Sequence, residues 1–190
     1  RIVKVDTITI AGVKMPQDSM VRLMKGKKGT QVVISVKRSG TDELIPFNIV
    51  RDKIPVNSVD VAFMINDTTG YIKLSKFAKT TFFEFLTATA KLRDQGMKRL
   101  VMDLRDNTGG YIDQALMISN EFLPKGAMVV YMEGKARARQ ELHADGKGNS
   151  QDIALAILIN ESSASSSEIV AGAMQDNDRA TIYGVRSFGK

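Results

Sequence analysis

Residues 160–177 read NESSASSSEIVAGAMQDN and put five serines between Asn160 and Glu168, after an apolar run and before a helical pattern. A serine on a strand-to-helix turn projects its hydroxyl from the sheet edge, and the backbone N–H groups that follow point the same way. That geometry suits a nucleophile with its own oxyanion donors. The same residues fit a structural role, because Ser165 and Glu168 make the S-x-x-E of a capping box and serine is a favoured N-cap for helix stability alone.

A second junction, DLRDNTGG over residues 103–110, ends a strand-like run in paired glycines. Gly109 and Gly110 allow a tight turn and leave backbone N–H groups unobstructed, so that an anion or developing oxyanion can sit against them. A turn that merely needs positive φ accounts for the pair equally well.

A serine nucleophile needs a base. The chain has one histidine, His143, in the polar stretch HADGKGNS, where no hydrophobic frame fixes its ring, so a Ser-His-Asp arrangement is not expected. Cysteine is absent, which removes thiolate nucleophiles, disulfides and Cys-based metal sites; neither a metal nor a cofactor is expected. The base that remains is a lysine, which must be desolvated to be neutral. Several qualify by type. Lys190 follows RATIYG and the aromatic-glycine turn SFG, a setting suited to burying its stem.

The elements that position these residues follow from hydrophobic period. Residues 1–54 are β-rich with one short helix: RIVKVDTITI, then QDSMVRLMKG with Met20, Leu23 and Met24 at helical spacing behind Pro16, then QVVISVKR and LIPFNIVR as a hairpin about SGTDE. This is too little chain for an independent core. DKIPVNS, with Pro55, marks a junction. From Ser58 onward strands alternate with helices. SVDVAFMI and TGYIKLSKF precede the helix TTFFEFLTATAKLRDQG, which stops at Gly96. KRLVMDLRD leads into YIDQALMISNEFL, with Ile112, Leu116 and Phe122 spaced for a helix, and MVVYM is a further strand. GKARARQELHADGKGNSQD reads as a polar surface excursion, ALAILINE as a strand buried on both faces, and SSEIVAGAMQDN with RATIYG as a closing helix and strand. The pattern predicts an α/β domain with a largely parallel sheet. In such sheets reactive groups gather at the carboxyl ends of strands, where both junctions fall.

Composition agrees with a folded protein: 43% of the 190 residues are hydrophobic and 25% charged. The net charge of +6 is dispersed over Lys25 to Lys28, Lys91 to Arg99 and Lys135 to Arg139, without Trp and with few aromatics interleaved. That dispersal reads as solvated faces and excludes a nucleic-acid groove. No apolar run reaches the roughly 20 residues that span a bilayer.

Three motifs, DLRDNTGG, ILINESSASSSEIVAGAMQDNDRA and FGK, occur in that order over most of residues 58–190. Together they resemble the carboxyl-terminal processing proteases, the tail-specific Ser-Lys endopeptidases. The resemblance implies a crotonase/ClpP-like protease core of βαβ units over residues 55–190, preceded over residues 1–54 by the C-terminal part of a PDZ-like domain. By motif position it makes Ser165 the nucleophile and Lys190, 190 − 165 = 25 residues on, the general base. The oxyanion donors become the backbone N–H groups of Gly110, or its neighbour Gly109, and of Ser166. Ser163, Ser166 and Ser167 are then turn, cap and packing residues.

The implied activity is that of a serine endopeptidase acting on unfolded or tagged proteins recognised at apolar C-terminal tails. The implied setting is the bacterial periplasm or cell envelope, with any membrane association made through regions outside these residues. The family's Gln after the base has no counterpart following Lys190, and the first strands of a PDZ domain would precede residue 1, so a piece of a larger enzyme is expected. Thr108 stands where the family commonly has Pro, and Ser166 where it commonly has Ala. Two rivals remain at this point. One is a noncatalytic PDZ-type module that binds C-terminal peptides, its serines capping a helix. The other is an acyl-CoA enzyme of the crotonase type, which wants positioned carboxylates that are not evident beside DLRDNTGG.

Overall fold

The computed structural model describes residues 1–53 and 57–190, which divide into two compact units between Val56 and Asn57. The junction expected at Pro55, with the domain boundary at 54/55, lies outside the described residues.

The first unit is an antiparallel sheet of four strands with one helix. Its elements are β1 (Ile2–Val5), β2 (Ile8–Thr9), α1 (Gln17–Met24), β3 (Gln31–Val36) and β4 (Ile45–Val50), with strand order β2-β1-β3-β4. The β3–β4 hairpin forms about SGTDE as the alternation predicts, pairing Val36 with Ile45. Against the expectation of too little chain for an independent core, the unit has a small one: Val5, Ile10 and Val32, covered by Met20, Leu23 and Met24 from α1. The Arg51 guanidinium closes the C-terminus of α1, donating to the carbonyls of Met24 at 2.8 Å and Leu23 at 3.2 Å. Those are carbonyls that a helix end leaves without partners.

The second unit begins with an antiparallel hairpin, β5 (Val59–Asn66) and β6 (Thr69–Leu74). From β6 onward α2 (Thr81–Asp94) returns the chain to β7 (Arg99–Asp103), and α3 (Ile112–Phe122) follows. A separate hairpin, β8 (Met128–Gly134) with β9 (Arg137–His143), then precedes β10 (Ala154–Ile159), α4 (Ser166–Asp176) and β11 (Ala180–Gly184). The main sheet has the order β11-β10-β7-β6-β5, with β6, β7, β10 and β11 mutually parallel and β5 antiparallel at the edge. Parallel neighbours need crossover helices, which α2 and α4 supply. Among the described residues no helix is long and apolar enough to cross a membrane.

Three sequence expectations are corrected. The ALAILI strand is buried on one face: Leu155 and Ile157 point into the core while Ala156 and Leu158 are half-buried. The reason is that the core lies on the side where Ile72, Met102, Ile157 and Ile182 line up across four strands against the helices. The opposite side carries Phe63 and Tyr183, both about half-exposed. Within the polar excursion, Arg137–His143 is a strand, because β8 offers an edge for it to pair with. Third, Ile112 is exposed although it shares the helical spacing of Leu116 and Phe122; α3 turns Ala115, Ile118 and Phe122 inward.

Arg179 fastens the end of α3 to the start of β11. Its guanidinium donates to the carbonyls of Phe122, Ser150 and Ile153 at 2.9, 3.0 and 2.6 Å, and to that of Gln151 at 3.1 Å. A lysine ammonium cannot span four carbonyls spread over two segments. Arg179→Lys is expected to destabilise the protein by about 2 kcal/mol, two lost charge-assisted bonds partly replaced by water. Urea denaturation would read this as a lower midpoint with an unchanged slope.

Candidate active site

Two strand-to-helix turns meet at the carboxyl edge of the sheet, one after β7 and one after β10. Ser165 is the N-cap of α4, with φ 54° and ψ −116°. A residue bearing a Cβ seldom occupies that region, and holding it there costs on the order of 1–3 kcal/mol. Half of the expected capping box forms: the Ser165 N–H donates to the Glu168 carboxylate at 2.9 Å, while the Glu168 N–H donates to the Ser165 carbonyl at 2.9 Å and the Ser165 hydroxyl makes no cap bond. The helix-cap and nucleophile readings therefore describe the same residue.

The neighbouring serines bind the two turns together. Ser163 Oγ donates to the Leu104 carbonyl at 2.8 Å, Ser166 Oγ to that of Gly110 at 3.0 Å, and Ser167 Oγ to that of Asn107 at 2.8 Å. All three serines are at most 1% exposed. A reciprocal pair adds to this: Asp106 N–H donates to Asn160 Oδ1 at 2.9 Å, and Asn160 Nδ2 to Asp106 Oδ1 at 2.8 Å. Buried hydroxyls need partners, and these find them on backbone 50 or more residues away in sequence.

The glycine pair is required by that closeness. Gly110 has φ 149°, and a Cβ on it would collide with the Phe77 carbonyl oxygen. Gly109 has φ 95°, and its added Cβ would lie 2.8 Å from Ser165 Cβ and 2.9 Å from the Ser166 nitrogen. The Gly109 N–H donates to Asn107 Oδ1 at 2.9 Å, which removes it from the candidate oxyanion donors. Among the described residues, the N–H groups of Gly110 and Ser166 have no protein acceptor.

Lys190 comes to this place through Glu168. One carboxylate oxygen accepts from Ser187 Oγ at 2.8 Å and Gly189 N–H at 2.6 Å; the other accepts from Lys190 N–H at 3.0 Å as well as from Ser165. Burial would raise the Glu168 pKa, but these donors outweigh it and hold the carboxyl below its usual value. The Phe188 N–H also donates to the Ser163 carbonyl at 3.0 Å. The expectation that the aromatic-glycine turn buries the lysine stem is corrected: Phe188 is 65% exposed and Lys190 is exposed, because backbone bonds fix this segment.

Ser165, Glu168 and Lys190 line one cleft of about 290 Å³ with Met128, Val130, Ile169 and Gly172. His143 is not among its lining residues. It lies on β9, 3.5 Å from a Glu141 carboxylate oxygen. Ser165 and Lys190 border this cleft, and Ser166, the residue after Ser165, is joined to Gly110 by its hydroxyl at 3.0 Å; a hydroxyl, an amine and N–H donors are the groups that acyl transfer uses.

Sequence reasoning did not foresee the support beneath the glycine turn. Asp103 is fully buried and accepts from Arg105 Nη2 at 2.6 Å, from Arg105 Nε at 3.0 Å and from the Tyr71 hydroxyl. Burial would raise the Asp103 pKa, and the Arg105 and Tyr71 bonds hold it below the ordinary value instead. Its carboxylate is thus committed to structure and does not serve as a free acid or base beside the glycines. The D-L-R triplet carried the Asp103–Arg105 signal; nothing local pointed to Tyr71, which lies 32 residues earlier.

The family model described as Peptidase family S41 matches residues 68–190. A probable CtpA-like serine protease of Staphylococcus epidermidis is 38% identical over 92% of this chain and 35% of its own length. One of Staphylococcus aureus is 36% identical over 100% of this chain and 37% of its own. The chain therefore spans a little over a third of the length of these relatives. Among solved structures, the photosystem II D1 C-terminal processing protease superposes with a TM-score of 0.65 at 26% identity, covering 98% of this chain and 51% of that one. A peptidase described as putative from Parabacteroides merdae shares the fold, with a TM-score of 0.58 at 19% identity over 71% of this chain and 45% of its own.

Glu168→Gln puts an amide NH2 where two N–H donors now meet a carboxylate oxygen. Activity is expected to fall about 10–100-fold, the loss of one or two charge-assisted bonds. In the wild type the Glu168 contribution to stability is complete above the ordinary value of 4.5 and is lost as pH falls through the depressed folded value. Urea denaturation across the acid range should show a decline in the wild type that is shallower in Glu168→Gln, the remainder coming from carboxylates such as Asp103 and Glu84 whose pKa values are also lowered.

Proposed function

The chain belongs to peptidase family S41, and from that premise we propose that it carries the Ser-Lys endopeptidase centre of a longer enzyme. The observation that supports this best is the strained, half-buried Ser165 at the start of α4, in one cleft with Lys190. Ser165 Oγ attacks the scissile carbonyl carbon while Lys190 Nζ takes its proton. The N–H groups of Gly110 and Ser166 hold the tetrahedral oxyanion. Collapse breaks the C–N bond, Lys190 returns the proton to the leaving amine, and water hydrolyses the acyl-enzyme with Lys190 again as base. For this cycle the Lys190 side chain must shed water, since a lysine acts as a base only when its charged form is disfavoured.

The substrates are unfolded or tagged proteins with apolar C-terminal tails. Residues 1–54 serve as the C-terminal part of a PDZ-like domain that takes the tail as an added edge strand. The setting is the bacterial periplasm or cell envelope; the relatives cited support the bacterial origin alone.

The test is a mass-spectrometric cleavage assay on the intact protein with an unfolded substrate bearing an apolar C-terminus. Wild type should cleave, and Ser165→Ala and Lys190→Ala should each lose at least about a thousandfold in kcat while remaining folded, as expected of dyad members acting as a unit. An unchanged rate for Lys190→Ala overturns the dyad. Peptide binding by all three proteins with no cleavage by any would make this a tail-binding module.

A further inference from the structure

Gly172 lies in the middle of α4, where a glycine weakens a helix relative to alanine. No backbone requirement explains it. Its φ is not positive, and a Cβ added there would meet no atom within 4 Å. Its neighbours Ala171 and Ala173 are small for a visible reason, being 7% and 4% exposed within the core. Gly172 instead borders the cleft that holds Ser165 and Lys190.

That cleft has two unlike sides. On α4, Ser165, Ile169, Gly172 and Asp176 recur at helical spacing along one stripe; opposite them stand Met128–Tyr131 of β8. Strand β8 pairs only with β9, so its second edge is free of strand partners among the described residues. An extended peptide can bond to such an edge while one side chain enters the space beyond. The space has apolar walls, Met128, Val130, Ile169 and Ala173, and at about 290 Å³ it lies near the lower limit of sites that enclose a small molecule. Its carboxylates leave no room for a negative charge: Glu168 is spent on four donors, and Asp176 repels acidic groups from the other end of the stripe.

We propose that the gap between β8 and α4 is the pocket for an aliphatic substrate side chain next to the scissile bond, and that Gly172 sets its depth. The proposal rests on Ser165 being the nucleophile. Gly172 is then a specificity-determining residue: each carbon added at position 172 removes room from the pocket without touching the core.

The experiment compares wild type, Gly172→Ala and Gly172→Val, each as the intact protein. The substrates are peptides that differ only in the residue on one side or the other of the bond cleaved by the wild type: Ala, Val, Leu or Phe. Removing room for one carbon in Gly172→Ala or three in Gly172→Val should lower kcat/KM for the Leu and Phe peptides about 10–200-fold and leave the Ala peptide within about twofold. Thermal unfolding should show Gly172→Ala no less stable than wild type. An unchanged profile in Gly172→Val, an equal loss on every peptide, or a destabilised Gly172→Ala overturns the pocket. Cleavage by Ser165→Ala, or none by the wild type, overturns the peptidase assignment beneath it.

Discussion

The Glu168 carboxylate is the constraint on which the site depends. It closes the first turn of α4 through the Ser165 N–H and holds the 187–190 segment through one hydroxyl and two backbone N–H groups. Four donors converge on two oxygens in a partly buried place, where a charged acceptor outcompetes water by more than a neutral one does. Ser165 and Lys190 thus share one support. Their relative placement follows from that support rather than from any direct contact between them.

The serine-rich turn does the complementary work on the other side. A backbone held at positive φ by a residue with a Cβ relaxes unless its surroundings over-determine it. Here the hydroxyls of Ser163, Ser166 and Ser167 each engage a carbonyl of the glycine turn, and the Ala164 N–H engages that of Asn107. Larger side chains would push the turns apart; apolar small ones would leave buried carbonyls unpaired. Serine meets both demands, which explains its abundance better than any count of potential nucleophiles does.

The sheet that carries these turns is covered on one side. Its inner rows are continuous and apolar, while the outer side retains half-exposed aromatics such as Phe63 and Tyr183. A parallel sheet in an α/β domain is ordinarily buried on both faces. That general rule made ALAILI look doubly buried from its composition, and the alternation of its burial is what the chain at hand provides.

Much of this was legible in the residues themselves. Hydrophobic period marks the strands and helices of both units, SGTDE the hairpin turn, and Gly96 the end of α2, because these are local properties of a chain. The S-x-x-E pair names the helix cap, and the paired glycines name a turn that tolerates no side chain. Other features were settled only by tertiary structure. Gly109 lost its place among the oxyanion donors because an asparagine two residues away takes its N–H. Tyr71 joined Asp103 across 32 residues, and Lys190 is fixed by a carboxylate rather than by the phenylalanine beside it. Spacing along a chain encodes which groups can be neighbours on one element, whereas the partner that satisfies a buried donor is chosen by packing between elements.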